Sequence, residues 1–444
     1  MTNRVRLWVV VFLLALLAPV LPQVQASPPS PATKPGRVWV QFKKGNRKSL
    51  PQKASALAQS EVAVLVPELE GAVLKVPVGQ ERELSRRLAE NPDVAYALPI
   101  PLVHAQRIPN DPGFSQQWNL VKIGAPAAWD VVTASRVIIA IVDSGVDLTH
   151  PDLAGQIWTN QDEIPGNGID DDHNGQIDDI HGWHFYSNGA AGDNNVQDDN
   201  GHGTHVSGIA AAATNNGLGV AGVSWGATIM PVKVLDSNGE GYWDDIIRGM
   251  LYAVANGARV INLSLGDSQP FPPLEDAVAY ARQHGVLVGA AAGNHVAAGD
   301  PTGVLYPAAY PEVMAVGATD GLDQRSDFSN TGPALSVAAP GTGVYSTYRG
   351  GTYGTMSGTS MAAPHVAGLA ALIWTLHPGY SVTQVQRTIE LTARDVNAAT
   401  LPGRDSELGW GRIDAGRAVS QRIYWYQLPL VARNPASGPI AMSP

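Results

Sequence analysis

The 444 residues are enough for two or three domains. At 44% hydrophobic and 15% charged, the composition excludes a disordered or collagen-like chain. A formal net charge of -10 argues against a nucleic-acid partner, and the absence of cysteine excludes disulfides, thiolate metal sites and a cysteine nucleophile.

Arg4 and Arg6 precede an apolar run over 7–17, and Val24-Gln25-Ala26 fits a cleavage site. That order predicts a signal peptide over 1–26 and a secreted protein. An uncleaved anchor fits less well. The run is short, Pro19 and Pro22 interrupt it, and no later run reaches about 18 residues. No stable membrane insertion is therefore expected after cleavage. Residues 27–36 have the composition of a linker. Strands are predicted over 37–42, 62–66, 72–76 and 94–98, and helices over 53–61 and 81–90. This is a small β-α-β-β-α-β unit. Residues 27–107 carry 12 Lys/Arg against 7 Asp/Glu, whereas 108–444 carry 15 against 32. A basic segment can dock on an acidic body, although chance composition accounts for the imbalance equally well. A second linker covers about 101–112.

Beyond it, strands are predicted over 136–142, 229–235, 260–265, 286–291 and 313–318. Helices are predicted over 205–213, 244–255, 274–284 and 361–376. The first of these strands is a near-continuous apolar run, as buried parallel strands are. The alternation predicts an α/β fold: a doubly wound, mostly parallel sheet with helices on both faces, preceded by the small α+β domain. The tail holds a strand-like stretch over 423–430 and a Pro/Ser-rich end.

Asp143 ends the first long strand, where ligands of open α/β sheets sit. Alone, it reads as a turn or cap residue. His202 lies between glycines where a helical pattern begins. His202 with His205 has a zinc-like spacing, but the glutamate and third ligand of a zinc protease are missing. His205 reads better as a structural histidine. Ser360 stands at the start of the long apolar helix, where the dipole favours developing negative charge. Alone, it reads as an N-cap. Asn294 follows an apolar strand. Its amide can serve an oxyanion, and alone it is a turn signal.

Asp170, Asp172 and Asn174 occupy positions 1, 3 and 5 of a loop with Gly175 at 6. The spacing fits calcium, with the Gln176 carbonyl at position 7 and Asp178 at 9. His181 stands where a bidentate Glu is usual, so the loop is not a full EF-hand. The competing reading is an acidic solvated turn.

Together, these stretches resemble the subtilisin-like proteases. Val142-Asp143-Ser144-Gly145, His202-Gly203-Thr204-His205-Val206-Ser207-Gly208 and Gly358-Thr359-Ser360-Met361-Ala362-Ala363-Pro364-His365-Val366 are similar to the family's three signature blocks. Asn262-Leu263-Ser264-Leu265-Gly266 and Ala291-Ala292-Gly293-Asn294 match two more. The chain order Asp, His, Ser is that of subtilisin. The resemblance implies a secreted serine endopeptidase with Asp143, His202 and Ser360 as its triad and Asn294 as an oxyanion donor. It implies a substrate cleft along Ser264, Leu265, Gly266, Ala291, Ala292, Gly293 and Leu305, with apolar side chains preferred before the scissile bond. Tyr242 or Trp243 would line a more distant apolar subsite. Asp267 departs from the glycine of many relatives. Asp152 and Asn215 would hold a second structural calcium.

The implied domains are a signal peptide at 1–26 and a propeptide at 27–106, with its inhibitory unit about 37–98. A peptidase domain follows at 107–420 and a tail at 421–444. The implied partners are protein and peptide substrates and the chain's own propeptide, released by cleavage in about 104–109. A monomer is expected. Two other readings compete with this one. A pseudoprotease would have lost a triad residue, and none is lost. A lipase or esterase would have a G-x-S-x-G elbow and its histidine last.

Overall fold

Apolar residues at every second position of 38–42 pair one face of a strand with a core, and a computed structural model shows that core. The structure describes residues 33–45, 47–57, 61–102, 107–133, 136–185, 192–294 and 303–421. The predicted signal peptide and the strand-like tail stretch lie outside the described residues. The chain divides into two units after Ala105.

The first unit contains β1 (Thr33–Phe42), α1 (Leu50–Leu57), β2 (Val62–Val66), β3 (Gly71–Lys75), α2 (Glu81–Ala89) and β4 (Val94–Pro101). Its sheet is antiparallel in the order β2-β3-β1-β4. Val38, Val40 and Phe42 point to the helices and are fully buried with Leu50, Ala54, Ala72 and Leu74. α1 starts three residues earlier than the sequence predicts. Leu50 and Ala54, one turn apart, face the core, and Pro51 is acceptable in a first turn. Val64, Tyr96 and Leu98 remain about half exposed.

The second unit opens with α3 (Trp118–Lys122) and α4 (Ala125–Trp129). It continues through β5 (Ile138–Asp143), β6 (Trp183–His184), α5 (His202–Ala211), β7 (Thr228–Lys233), α6 (Trp243–Ala255), β8 (Val260–Leu263), α7 (Pro272–Gln283) and β9 (Leu287–Ala291). Next come β10 (Met314–Thr319), β11 (Leu335–Pro340), β12 (Val344–Tyr348) and β13 (Thr352–Met356). Three helices close it: α8 (Thr359–Leu376), α9 (Val382–Thr392) and α10 (Ala415–Ser420). Seven strands form a parallel sheet in the order β11-β10-β9-β8-β5-β7-β6. β12 and β13 form a separate antiparallel hairpin. The two faces bury different cores. Ile139 and Ile141 pack with α5 and α8, whereas Ala140 and Val142 pack with α6 and α7. Because strand residues alternate between faces, one apolar run serves both layers.

α8 is apolar on nearly every side because it is the central buried helix. It is the one helix among the described residues long and apolar enough to cross a membrane, yet 83% of it is buried. It starts at Thr359, two residues earlier than predicted, so Pro364 lies inside it rather than in its first turn. A proline cannot donate to the carbonyl four residues back. That carbonyl belongs to Ser360, and it accepts the Ser264 hydroxyl at 2.8 Å instead.

The sequence reading missed α3, α4, β6, β11, the β12–β13 hairpin, α9 and α10. α9 carried a visible signal: Ser381 and Gln384 form a capping box.

Candidate active site

The carboxyl edge of a parallel sheet exposes strand ends, and β5 ends on Asp143. Its carboxylate is fully buried. Oδ1 accepts the Ser144 amide at 2.7 Å and lies 2.7 Å from the His202 Nδ1. A carboxylate oxygen facing Nδ1 fixes the ring proton there and leaves Nε2 as the basic nitrogen. Asp143 Oδ2 is buried and has no hydrogen-bond partner among the described residues.

His202 is the first residue of α5, and its side chain is one-fifth exposed. Two features hold it against β5. A Cβ at Gly203 would stand 2.1 Å from the Gly145 carbonyl oxygen, so only glycine lets the helix start approach the Asp143 loop. Asp198 ties that start together. Its Oδ1 accepts from Gly201 N at 2.8 Å, Asn200 N at 3.0 Å and Ser144 Oγ at 2.9 Å. Its Oδ2 accepts from Thr204 N at 2.9 Å and Thr204 Oγ1 at 2.6 Å. The sequence reading missed Asp198, although an acid just before a helix start is a cap signal. Burial works to lower the His202 pKa. The charge and hydrogen bond of Asp143, helped by Asp198, outweigh it and hold the ring above its ordinary value.

His205 turns the other way. Its Nε2 faces the carbonyls of Val344 at 3.1 Å and Gly354 at 3.2 Å, and burial lowers its pKa to about 4. It is a neutral structural histidine rather than half of a zinc site.

Ser360 is the second residue of α8. Its hydroxyl donates to the Ser264 carbonyl at 3.1 Å, while its own carbonyl takes the Ser264 hydroxyl. Among the described residues it makes no hydrogen bond to His202. Asn294 sits two residues beyond Ala292, and its Oδ1 accepts from Thr359 N at 2.8 Å and Thr359 Oγ1 at 2.9 Å. With the oxygen anchored, Nδ2 is turned toward Gly358. A point at the Gly358 Cβ position would be 3.3 Å from Asn294 Nδ2 and 3.6 Å from Ser360 N. Two N–H donors therefore border one small volume beside the serine.

The predicted cleft segments lie at neighbouring strand ends. β8 and β9 are paired, with Leu263 opposite Ala290, and Ser264-Leu265-Gly266 and Ala292-Gly293 follow them. Leu305 wedges between the segments. Its N–H donates to the Ala292 carbonyl at 2.9 Å. Its side chain would stand 2.6 Å from a Gly293 Cβ and 3.2 Å from a Gly266 Cβ. It is only 7% exposed, so it fills the space between the segments. Asp267 exchanges backbone hydrogen bonds with Tyr306, and its Oδ1 accepts from Gln269 N at 2.9 Å. Tyr242 is exposed, while Trp243 is half-buried against the core beneath α6.

The acidic loop forms its predicted turn, with a different set of carboxylates converging. Asp170 and Asp172 both accept the Asn174 amide at 3.0 Å, and the Gln176 amide donates to Asn174 Oδ1 at 2.7 Å. Asp178 does not join Asp172. It stands at φ 56°, and its carboxylate accepts from the amides of Gly166, Asn167 and Gly168. The left-handed backbone re-aims the side chain toward this nest of N–H groups. Glu163, Asp172 and Asp179 instead place carboxylate oxygens within 4.8 Å of one another. Burial pushes the Asp179 carboxyl above its ordinary value, and Asp172 adds to the effect. Clustered oxygen ligands of like charge suit a hard cation. Glu163 and Asp179 escaped the sequence reading because neither falls on the 1-3-5 spacing.

The second predicted pair also shifts. The Asn215 amide oxygen accepts from Asn110 N at 3.2 Å and does not reach Asp152. Its neighbour Asn216 donates to Asp152 Oδ1 at 2.9 Å. Asn215 has φ 62°, which turns the two successive side chains to different partners. Asp111, also buried, accepts the backbone N–H groups of Asn215 and Asn216 at 2.7 and 3.1 Å. Burial pushes its carboxyl up, with the Asp152 charge adding to the effect.

Comparisons with known proteins accord with this architecture. Residues 134–411 match the subtilase family, and residues 21–99 match the fervidolysin N-terminal prodomain. The chain is 43% identical over 312 residues to thermitase of Thermoactinomyces vulgaris, covering 70% of this chain and 99% of that protein. It is 38% identical over 390 residues to a thermophilic serine proteinase of Bacillus sp. (strain AK1), covering 87% of each. A solved protease structure from Pseudoalteromonas arctica PAMC 21717 matches with a TM-score of 0.59 at 32% identity, over 71% of this chain and 99% of that one. With the family match spanning more than half of its length, the chain belongs to the subtilase family, as a subtilisin-like serine protease with an N-terminal prodomain.

Proposed function

We propose that Ser360, His202 and Asp143 cleave peptide bonds by acyl transfer in a secreted, self-processed enzyme. The observation that carries the reading is the 2.7 Å contact between His202 Nδ1 and a buried carboxylate, which leaves Nε2 free as a base. Ser360 Oγ turns from the Ser264 carbonyl toward Nε2, gives up its proton and attacks the scissile carbonyl. His202 then passes that proton to the leaving amine. Asp143 orients the ring and stabilises its charged form. Because the ring must be neutral to accept a proton, activity falls as pH drops through the raised His202 pKa.

Asn294 Nδ2 and the Ser360 amide stabilise the oxyanion. Replacing Asn294 by Ala is expected to lower kcat roughly 10²- to 10³-fold with KM little changed. A loss of only a few-fold in steady-state kinetics removes Asn294 from this role.

Substrate adds as a strand beside Ser264–Gly266, with Ala291–Gly293 on the other side. Leu305 limits the depth of the pocket for the residue before the cut, and these lining residues carry no charge. Apolar side chains short of the largest aromatics are therefore expected there. Dominant cleavage after Lys or Arg in a peptide library contradicts this.

The first unit acts as an inhibitory propeptide. The match of residues 21–99 to the fervidolysin N-terminal prodomain supports this role. Expressed with residues 1–26 intact in a secreting host, the wild type should reach the medium without residues up to about 107. The Ser360→Ala protein should keep its propeptide. Mass spectrometry showing retention by both, or loss by both, rules out self-processing.

Calcium at Glu163, Asp172 and Asp179, and at Asp111, Asp152 and Asn216, stabilises the fold through linkage and takes no part in the chemistry. Chelator should lower the melting temperature of the Ser360→Ala protein, and less so after Asp179→Asn. An unchanged melting temperature counts against both sites.

A further inference from the structure

Lys233 is a buried lysine outside the triad. It ends β7 in direct parallel register with Asp143, and its side chain is 5% exposed. A lysine is almost never buried unless it is paired, because its ammonium loses hydration that only full hydrogen bonding offsets. Here all three ammonium hydrogens are used. Nζ donates to the Ser144 carbonyl at 2.6 Å, to Asp199 Oδ1 at 2.7 Å and to the Leu235 carbonyl at 3.0 Å.

Those acceptors are not scattered. Ser144 follows Asp143 directly, and Asp199 lies in the loop that leads into His202. The end of β7 also grips the Asp143 peptide, since Val234 N and Leu235 N donate to the Asp143 carbonyl at 2.8 and 3.2 Å. A single ammonium thus braces the strand that carries the acid against the loop that carries the base. Arg349 joins from the far side, donating to the Asp199 carbonyl at 2.6 Å. Resting on the triad reading above, we propose that Lys233 is a positioning residue. Through Asp199 it fixes the distance between Asp143 and His202 and neutralises the Asp199 carboxylate.

The charged and titratable groups around the loop include Asp143 on β5, Asp198 and Asp199 in the loop itself, His205 on α5, Lys233 on β7, Tyr348 on β12, whose hydroxyl donates to the Asn200 carbonyl at 3.4 Å, and Arg349 after β12. Removing the lysine leaves Asp199 uncompensated beside a base that Asp143 and Asp198 already favour in its charged form. Placement errors of about 1 Å cost on the order of 10²-fold in rate, so the brace bears on turnover more than on binding.

The test uses the full chain with Lys233→Met, Asp199→Asn and the double variant. Active sites are counted by reaction with a serine-directed sulfonyl fluoride. Lys233→Met is expected to lower kcat about 10- to 100-fold per active site, with KM within about twofold. It should move the acidic limb of the sulfonylation rate to higher pH. Asp199→Asn alone should lower kcat several-fold and move that limb to lower pH. The double variant should be no slower than Lys233→Met, with its limb back near the wild-type position. Wild-type kcat and limb in a folded Lys233→Met protein overturn the proposal. If Lys233→Met does not fold, wild-type kcat and limb in Asp199→Asn overturn it, because the lysine is then structural only. Failure of the wild type itself to react at Ser360 would instead sink the triad reading.

Discussion

The buried hydrogen bond between Asp143 and His202 is the constraint around which the second unit is arranged. It needs a carboxylate at the end of a central strand and an imidazole at the first residue of the following helix. It also needs backbones close enough for a 2.7 Å contact. Each requirement is met by a different level of structure. The parallel sheet places Asp143 at its carboxyl edge, glycine at 203 lets the helix start close on Gly145, and Asp198 holds the first turn of α5 with five acceptor contacts. A charge-assisted bond shielded from water is stronger than an exposed one, which is why burying Asp143 is tolerable.

The serine is held by a second device of a different kind. Pro364 deprives the Ser360 carbonyl of its helical donor, and the Ser264 hydroxyl supplies one. The Ser360 hydroxyl returns a bond to the Ser264 carbonyl. The helix start and one proposed cleft wall are thereby joined, so the serine and the substrate strand keep a fixed spacing. A helix defect that propensity alone counts as costly is here the means of attaching the serine's helix to the proposed cleft.

Much of this was legible in the sequence, for physical reasons. Buried parallel strands read as apolar runs, as 137–142 does, and glycines beside His202 and Ser360 announced close backbone approach. What stayed hidden depends on tertiary context. The β12–β13 hairpin is rich in Ser, Thr, Tyr and Gly, so it lacks an apolar signature. β11 reads Leu-Ser-Val-Ala-Ala-Pro and is recognisable as a strand only beside β10. The acidic loop announced its turn through spacing. Which carboxylates converge was decided by left-handed Asp178 and by Glu163, which lies outside the pattern. Asn215 and Asn216 are identical neighbours, and only the backbone at φ 62° tells which one meets Asp152. Lys233 was invisible for the opposite reason. A lysine ending an apolar strand looks like a solvated edge residue until its three acceptors are seen.

The most direct measurement is peptide mapping by mass spectrometry after reaction with a peptidyl phosphonate bearing an apolar side chain next to its phosphorus. One adduct per chain is expected, on Ser360, absent from His202→Ala. An adduct on any other serine, or equal labelling of Ser360 without His202, would contradict it.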